Sequence, residues 1–304
     1  MQSKVSNHIV QGFLLAIIAT LLWSGNFIIA RKVSNAISPI SLAFYRWACA
    51  SLVLFPFAYK QATLELTHFK ANWKIISLIA LTGIALFNTF VYVAGHNTTA
   101  INMALIGTTS SPIFATIMAV IFLKERLGFY RIIGMIICIM GIVLLISKGS
   151  WQVLFSFKFS SGDAWILGGA FSFAVYNILV RKKPVQLSSL SFLLIIFILG
   201  TIMLFPFFIL EQIIVKDTVQ WSSALISSIL YLGVGTSVLA FWCWNLAISK
   251  LGAGRTVLFG NLIPIFSTIE AILILGETIT PIHFYSGILV IGGLIIANLK
   301  FKNK

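Results

Sequence analysis

The sequence predicts an all-α, polytopic integral membrane protein with ten transmembrane helices, arranged as a 5+5 inverted-topology repeat. Three observations predict this fold. The 304 residues are 59% hydrophobic and only 9% charged, whereas soluble domains carry about 25% charged residues. Ten apolar segments approach the roughly 20 residues that a spanning helix needs. Long parts of the first half of the chain recur in the second half.

The ten apolar segments are separated by short breaks that contain charged residues, proline or glycine, as expected for turns. They cover residues 11–30, 39–58, 73–95, 99–123, 130–147, 163–180, 188–210, 221–248, 254–275 and 281–299. None of the breaks is long enough to form a soluble domain. We therefore expect the lipid bilayer to surround most of the protein.

A duplicated motif defines two repeats. Residues 112–125 recur 152 positions later as residues 264–277, with the proline and the final glutamate retained. In earlier segments the offset is 150, so that residues 54–57 (Leu-Phe-Pro-Phe) recur at 204–207. The predicted domains are thus a first five-helix repeat, 1–150, and a second, 151–304. Because five is odd, the second repeat must enter the membrane upside down, an architecture of secondary transporters.

The distribution of basic residues predicts the orientation. One face, which holds both termini, carries 15 of the 21 Lys and Arg residues, and the other face carries five. The positive-inside rule then places both termini in the cytoplasm, although Arg31 and Lys32 fall on the opposite face. The net charge of +14 is explained by this topology and by contact with anionic lipid, so nucleic acid is not a predicted partner.

The motif content argues against an enzyme. Metalloprotease, nucleophile-elbow and phosphate-loop motifs are missing from the sequence. The three cysteines, Cys49, Cys138 and Cys243, lie in apolar runs without the spacing of a disulfide framework or a metal site. We therefore predict neither catalysis nor a cofactor or metal.

Motif fragments in both halves identify a family resemblance. The fragments are residues 23–27, 44–46, 112–126, 239–245, 251–253 and 275–277. Together they resemble the drug/metabolite transporter superfamily, specifically its ten-span family with two EamA domains. The resemblance implies a helical bundle around one central cavity that works by alternating access in the inner membrane. It also implies that the solute is an amino acid, another small metabolite or a drug, often exported.

Polar and aromatic residues at helical spacing are candidates for substrate binding. They are Trp23, Asn26, Asn88, Tyr92, Tyr176, Trp244, Asn261 and Thr268. Such a set could stack an apolar or cationic part of a solute and form hydrogen bonds with a carboxylate or amine. The alternative is that these residues are interfacial aromatics and amides that join neighbouring helices.

Two charged residues lie within predicted spans, where each costs about 2.5–3.5 kcal/mol on an insertion scale. We expect Arg46 and Glu270 either to pair with each other or to serve substrate and proton. The alternative is a structural role, with each charge held by carbonyls and hydroxyls. The repeat places Met118 opposite Glu270, and this asymmetry favours a specialised role for the glutamate.

Two prolines within spans predict kinks. Pro112 and Pro264 each remove a backbone donor, so both are candidates for hinges in matched pathway helices; the alternative is two kinked packing helices. Thr109, Ser110 and Ser111 are expected to satisfy some of the local demand for hydrogen bonds. Glu125 and Glu277 are expected to accept N–H groups at the start of the helix that follows each of them.

Small residues on the fifth and tenth segments predict close helix packing. Gly134 and Gly141 match Ser286 and Gly293, and a homodimer through these faces is one possible use of them. As a whole, the sequence predicts a secondary transporter that exports amino acids or similar small metabolites. The alternatives are a multidrug or toxic-compound efflux carrier of the same fold, a channel or a membrane enzyme.

Overall fold

The computed structural model describes residues 2–123, 128–155, 160–180, 182–215, 219–251 and 256–298, and the regular elements in these ranges are helical. We number ten principal helices in chain order. They are α1 Gln2–Lys32, α2 Pro39–Leu64, α3 Trp73–Asn97, α4 Ala100–Leu123, α5 Phe129–Ile146, α6 Ser161–Val180, α7 Ser189–Val215, α8 Ser223–Leu251, α9 Ile263–Leu275 and α10 Pro281–Asn298.

Each predicted apolar segment coincides with one of these helices. Seven of them, α1 to α4 and α6 to α8, are long and apolar enough to cross a membrane. The apolar parts of the other three are shorter, at Ile132–Leu145, Ile263–Leu275 and Pro281–Ala297. The prediction of an all-helical membrane protein is confirmed, while the full count of ten spans stays a prediction.

Both α3 and α8 widen into a π-helical segment. These segments are Leu81–Leu86 and Tyr231–Leu239, and the repeat offset of 152 maps the first onto residues 233–238 of the second. π-helical turns often occur at functional sites. Their recurrence at matched positions therefore indicates a functional site at this level of the bundle. The ring of Tyr176 fills the space beside Gly83, where an added Cβ would clash with the ring.

The second helices of the two repeats, α2 and α7, pack side by side in opposite directions. Glu211, near the end of α7, accepts hydrogen bonds from the backbone N–H groups of Ile40 (3.1 Å) and Ser41 (2.7 Å) at the start of α2. Glu65, at the end of α2, accepts one from the N–H of Ser188 at 2.9 Å, just before α7. A carboxylate at the end of each helix thus accepts backbone N–H groups at, or directly before, the start of the other helix.

Glu65 lies at the end of α2, outside the predicted span. Burial raises the pKa of its carboxyl group, but the hydrogen bonds it accepts, among them those from Gln61 and the backbone of Ser188, together lower the pKa by more than burial raises it. The net pKa therefore lies below its usual value, which favours the ionised form that caps α7.

The fifth helices of the repeats, α5 and α10, form a second antiparallel pair through their small residues. A Cβ on Gly134 would clash with Gly293 O, and Ser286 Oγ donates to Gly141 O at 2.8 Å. Under the offset of 152, Gly134 corresponds to Ser286 and Gly141 to Gly293, so the two contacts are equivalent. These faces are buried against each other within one chain, and the homodimer stays a prediction.

Other helix contacts are also equivalent in the two repeats. Helix α1 packs against α8 and α9, and its counterpart α6 packs against α3 and α4. A hydroxyl contact of 3.5 Å also joins Ser51 of α2 to its own repeat equivalent, Thr201 of α7. A residue that contacts its own equivalent marks the position of a pseudo-two-fold axis.

The two prolines occupy different local structures. Pro112 lies inside the continuous α-helix α4, whereas Pro264 lies in the first turn of α9, directly after the 3₁₀ segment Val257–Leu262. The hydrogen bonds expected from neighbouring hydroxyls are not observed at Thr109 and Ser110. Thr109 Oγ1 and Ser110 Oγ are enclosed without a hydrogen-bond partner. Their side chains therefore do not satisfy the local demand created by Pro112.

Glu277 caps a helix other than the predicted one. Its carboxylate accepts from the N–H groups of Ala100 (2.8 Å) and Ile101 (3.2 Å) at the start of α4, not from the start of α10. The αL turn at Gly276 (φ 66°) carries the chain to Glu277 after α9. Glu125, predicted to act in the same way, lies outside the described residues.

Candidate functional site

A buried arginine joins four helices at the centre of the candidate site. Arg46 of α2 is only 4% exposed. Its Nη1 donates to Asn26 Oδ1 (2.6 Å), Asn88 Oδ1 (2.6 Å) and Tyr92 OH (2.7 Å), and its Nε donates to Ser237 Oγ (3.0 Å). The site therefore includes three of the predicted binding residues. We call these five residues the Arg46 cluster.

Local sequence explains how the partners reach Arg46. Asn88 and Tyr92 are four residues apart, so they share a face of α3. Tyr92 OH also donates to Asn26 Oδ1 at 3.3 Å. Ser237 lies within the π-helical segment of α8. The guanidinium also lies over the ring of the neighbouring Trp47, 4.7 Å from its centroid, which favours the cation.

The Arg46 cluster belongs to one repeat only. The repeat offsets place Ile196, Tyr176, Ala240 and Trp244 where the first half has Arg46, Asn26, Asn88 and Tyr92. The second half therefore lacks the cation and both amides. An approximately symmetric scaffold thus carries an asymmetric polar site.

Three aromatic rings form a wall next to the cluster. Trp23 of α1 lies 5.0 Å from the Trp244 ring and 5.4 Å from the Phe241 ring of α8, between centroids. Its Nε1 donates to Thr236 O at 3.0 Å, and Thr236 precedes Ser237 of the cluster. Trp23 and Trp244, both candidates for substrate binding, therefore lie against each other, with Phe241 as an additional member of the wall.

Glu270 of α9 does not pair with Arg46; within the described residues, no ion pair connects them. Its Oε1 lies 2.9 Å from Ser24 Oγ, and its Oε2 is enclosed without a partner. Ser24 Oγ is also 2.7 Å from Leu21 O, yet a hydroxyl has a single hydrogen to donate. The Ser24 hydrogen is thus shared between Leu21 O and Glu270 Oε1, and protonation of Glu270 would let the carboxyl group donate to Ser24 instead.

The other predicted binding residues lie apart from the Arg46 cluster or outside the described residues. Tyr176 stacks on Phe173 with centroids 5.3 Å apart, beside Gly83. Thr268 Oγ1 donates to Pro264 O at 2.8 Å, and the side chain of Asn261 lies outside the described residues. A small cavity of about 60 Å³, lined in part by Pro112, lies among α4, α5 and α10 rather than beside Arg46.

Sequence reasoning did not identify Ser237, Ser24 or Tyr231 as members of the site. Tyr231 OH donates to Leu22 O at 2.9 Å and lies beside Gly25, where an added Cβ would clash with the hydroxyl oxygen. The pair Trp23-Ser24 was visible in the sequence, but nothing there indicates that Ser24 faces Glu270. In the described ranges, no group of three His, Cys, Asp or Glu side chains is placed to hold a metal.

The two halves of the chain both match one family model. The model of the EamA-like transporter family matches residues 10–147 and again residues 160–299. The chain belongs to this family. Membership of this family identifies the protein as a transporter. The same membership argues against an enzymatic function. The double match agrees with the repeats inferred from the sequence.

Relatives match nearly the full length of the chain. An uncharacterized transporter of Archaeoglobus fulgidus is 28% identical, covering 94% of this chain and 97% of the relative. A probable amino-acid metabolite efflux pump of Escherichia coli is 24% identical, covering 93% of each. A probable terminal-alkyne amino-acid exporter of Streptantibioticus cattleyicolor is 23% identical, covering 93% of this chain and 91% of the relative.

A solved crystal structure is similar over 94% of this chain and 96% of its own, with a TM-score of 0.64 at 17% identity. This similarity shows a shared fold.

Proposed function

We propose that this member of the EamA-like family is a secondary transporter that moves amino acids or similar small metabolites across the cytoplasmic membrane by alternating access. Export is the proposed direction, as in the relatives named for amino-acid efflux or export. The proposed topology has ten spans with both termini in the cytoplasm. The proposed solute path runs past the Arg46 cluster and the aromatic wall.

The observation that carries the proposal is the antiparallel packing of equivalent helices. The start of α2 meets the end of α7 through Glu211, and the start of α7 meets the end of α2 through Glu65. Two repeats of opposite orientation can exchange conformations, which would open the shared site to each side in turn. A channel needs no such exchange of equivalent halves, so this arrangement favours a carrier.

The ends of other helices support the same topology. Lys250 at the end of α8 donates to Gln11 of α1 at 3.0 Å, and both positions lie on the predicted cytoplasmic face. Ser160 before α6 donates to Asn97 O at the end of α3 at 2.8 Å, and both lie on the predicted outer face. These contacts support the proposed alternation of neighbouring loops between the two faces.

The topology is tested with compartment-specific reporters. A reporter fused at residue 150 is expected outside the cytoplasm, and one fused at the carboxyl terminus is expected inside. Both reporters in the same compartment would disprove the inverted repeat.

Transport is tested first by comparing the metabolites of cells that lack or overproduce the protein. The leading solute is then loaded into proteoliposomes, where saturable counterflow without chemical change is expected. Flux that grows linearly with concentration, without counterflow, would instead indicate a channel. A solute recovered as a chemically altered product would indicate an enzyme.

A further inference from the structure

The Arg46 guanidinium is a buried cation that forms no ion pair with any of the described residues. We propose that it is the receptor for a carboxylate of the transported solute, so that the substrates are carboxylates, amino acids among them. This inference rests on the proposed transport function and names its substrate class. It is carried by the charge balance around Arg46, by an unused donor and by the neighbouring aromatic wall.

The contacts of Arg46 with the described residues leave its positive charge uncompensated. All four hydrogen-bond acceptors of Arg46 are neutral amide or hydroxyl oxygens. The described carboxylates are engaged elsewhere: Glu65, Glu211 and Glu277 cap helices, Asp163 accepts from Thr98, and Glu270 contacts Ser24. A desolvated cation without a counter-charge is costly, and an arriving anion would reduce that cost.

The unused donor indicates where the anion would bind. The hydrogen bonds described above use only Nε and Nη1 of Arg46. Nη2 has no partner among the described residues, and it is not one of the enclosed side-chain atoms without a partner. It therefore keeps accessible surface and two N–H groups for a ligand. Arginine suits this role because its planar guanidinium matches the geometry of a carboxylate.

The guanidinium is also held in place before a ligand arrives. Ser237 fixes Nε, the amides of Asn26 and Asn88 fix Nη1, and the ring of Trp47 lies against one face. A donor that is already ordered loses little conformational entropy on binding. These contacts would anchor the cation and leave one edge of it for the solute.

The aromatic wall suggests what the carboxylate is attached to. Trp23 lies one helical turn before Asn26 on α1, and its indole bonds the residue that precedes Ser237. A solute held by its carboxylate could therefore place an apolar or aromatic group against Trp23, Phe241 and Trp244. A cationic drug would meet the uncompensated positive charge of Arg46 instead. The site thus favours amino acids and related acids over cationic drugs.

The test places a competing carboxylate beside Arg46. Asn88→Asp has nearly the same shape as the native side chain and would pair with the guanidinium. Asn177→Asp, on the exposed side of α6, makes the same chemical change away from it. Binding to the purified full-length protein is measured as ligand-dependent thermal stabilisation. The probes are the twenty amino acids and benzoate, with L-phenylalaninamide and benzamide as neutral-amide counterparts of L-phenylalanine and benzoate.

We expect at least one carboxylate to stabilise the wild-type protein and its amide counterpart to have a much smaller effect. Loss of a charge-assisted hydrogen bond should make carboxylate binding by Asn88→Asp about 10- to 100-fold weaker, while Asn177→Asp binds normally. A purely structural Arg46 predicts the opposite, because Asn88→Asp would raise the melting temperature without weakening binding. If Asn88→Asp does not fold, Asn26→Asp makes the same substitution at the other amide.

Three results would overturn the proposal: equal stabilisation by carboxylates and amides, no stabilisation by any carboxylate tested, or unchanged affinity in the aspartate variant. Counterflow separates this outcome from failure of the transport function. Saturable counterflow of a solute without a carboxylate would reject the carboxylate receptor and keep the carrier. Arg46-dependent carboxylate binding without counterflow of any bound acid would keep the receptor and reject the carrier.

Discussion

Glu211 offers a quantitative test of the antiparallel pairing of α2 and α7. Its carboxylate accepts three hydrogen bonds at the start of α2: from Ile40 N, from Ser41 N and from Ser41 Oγ at 2.7 Å. Hydrogen bonds to charged groups contribute about 1.5–3 kcal/mol each. Because hydrogen bonds that share one carboxylate do not contribute additively, we expect Glu211→Ala to lose roughly 2–5 kcal/mol rather than the full sum.

For a protein of this size, that loss corresponds to a melting temperature lower by roughly 4–10 °C. Glu211→Gln keeps one acceptor and should lose about half as much, and Ser41→Ala should lose less again. Thermal unfolding of the purified variants measures this series. Ile213→Ala, at a position of α7 that is 62% exposed, is the control and should melt close to the wild-type temperature.

A double-mutant cycle between Ser41 and Glu211 separates their contact from other effects of the substitutions. We expect a coupling energy of about 0.5–3 kcal/mol, as found for residues in direct contact. Additive effects, or a Glu211→Ala protein that melts within about 1 °C of wild type, would show that this end of α7 does not cap α2. The consequence would extend to the site, since Arg46 lies little more than one turn beyond Ser41.

Three further predictions concern other parts of the chain. The folded-state pKa of Glu65 is lowered. Its contribution to stability should therefore be complete above the unfolded-state pKa of about 4.3 and be lost as the pH falls through the folded-state pKa. Thermal unfolding of Glu65→Gln should show a weaker acid dependence than that of the wild type. Gly134→Ala should lower the melting temperature through its clash with α10, whereas Gly287→Ala, with open space around it, should leave it equal or slightly higher. Glu270→Gln, which mimics the protonated carboxyl group, should remove the pH dependence of transport in proteoliposomes, and an unchanged pH profile would argue against proton coupling.

Hydrophobicity was sufficient to locate the helices because lipid selects long apolar segments wherever they occur in the chain. Spacing was sufficient for Asn88 and Tyr92, since α3 keeps α-helical geometry beyond Leu86. It was insufficient for Ser237, because the π-helical segment of α8 changes the angle between successive side chains. A pattern search based on 3.6 residues per turn therefore assigns that part of α8 to the wrong face.

Contacts between distant parts of the chain were the second limit of the sequence. Glu277 was expected to cap the helix that follows it, but it caps α4, which starts about 180 positions earlier in the chain. The small residues of α5 and α10 were identified correctly as packing faces, yet only the structure shows that they face each other. Arg46 and Glu270 were both identified as unusual charges, while their different partners depend on how the helices assemble.

Helix α1 connects the two charged centres. Asn26 bonds to Arg46, and Ser24, two residues earlier, contacts Glu270. An anion on Arg46 would compete with Asn26 for the guanidinium, whereas a change of protonation at Glu270 would reverse the direction of its hydrogen bond with Ser24. Because both changes act on one turn of the same helix, a shift of α1 offers a direct physical link between solute and proton. The asymmetry of the repeats fits this arrangement, since the proposed anion receptor lies in the first repeat, the Glu270 carboxyl group lies in the second, and α1 contacts both.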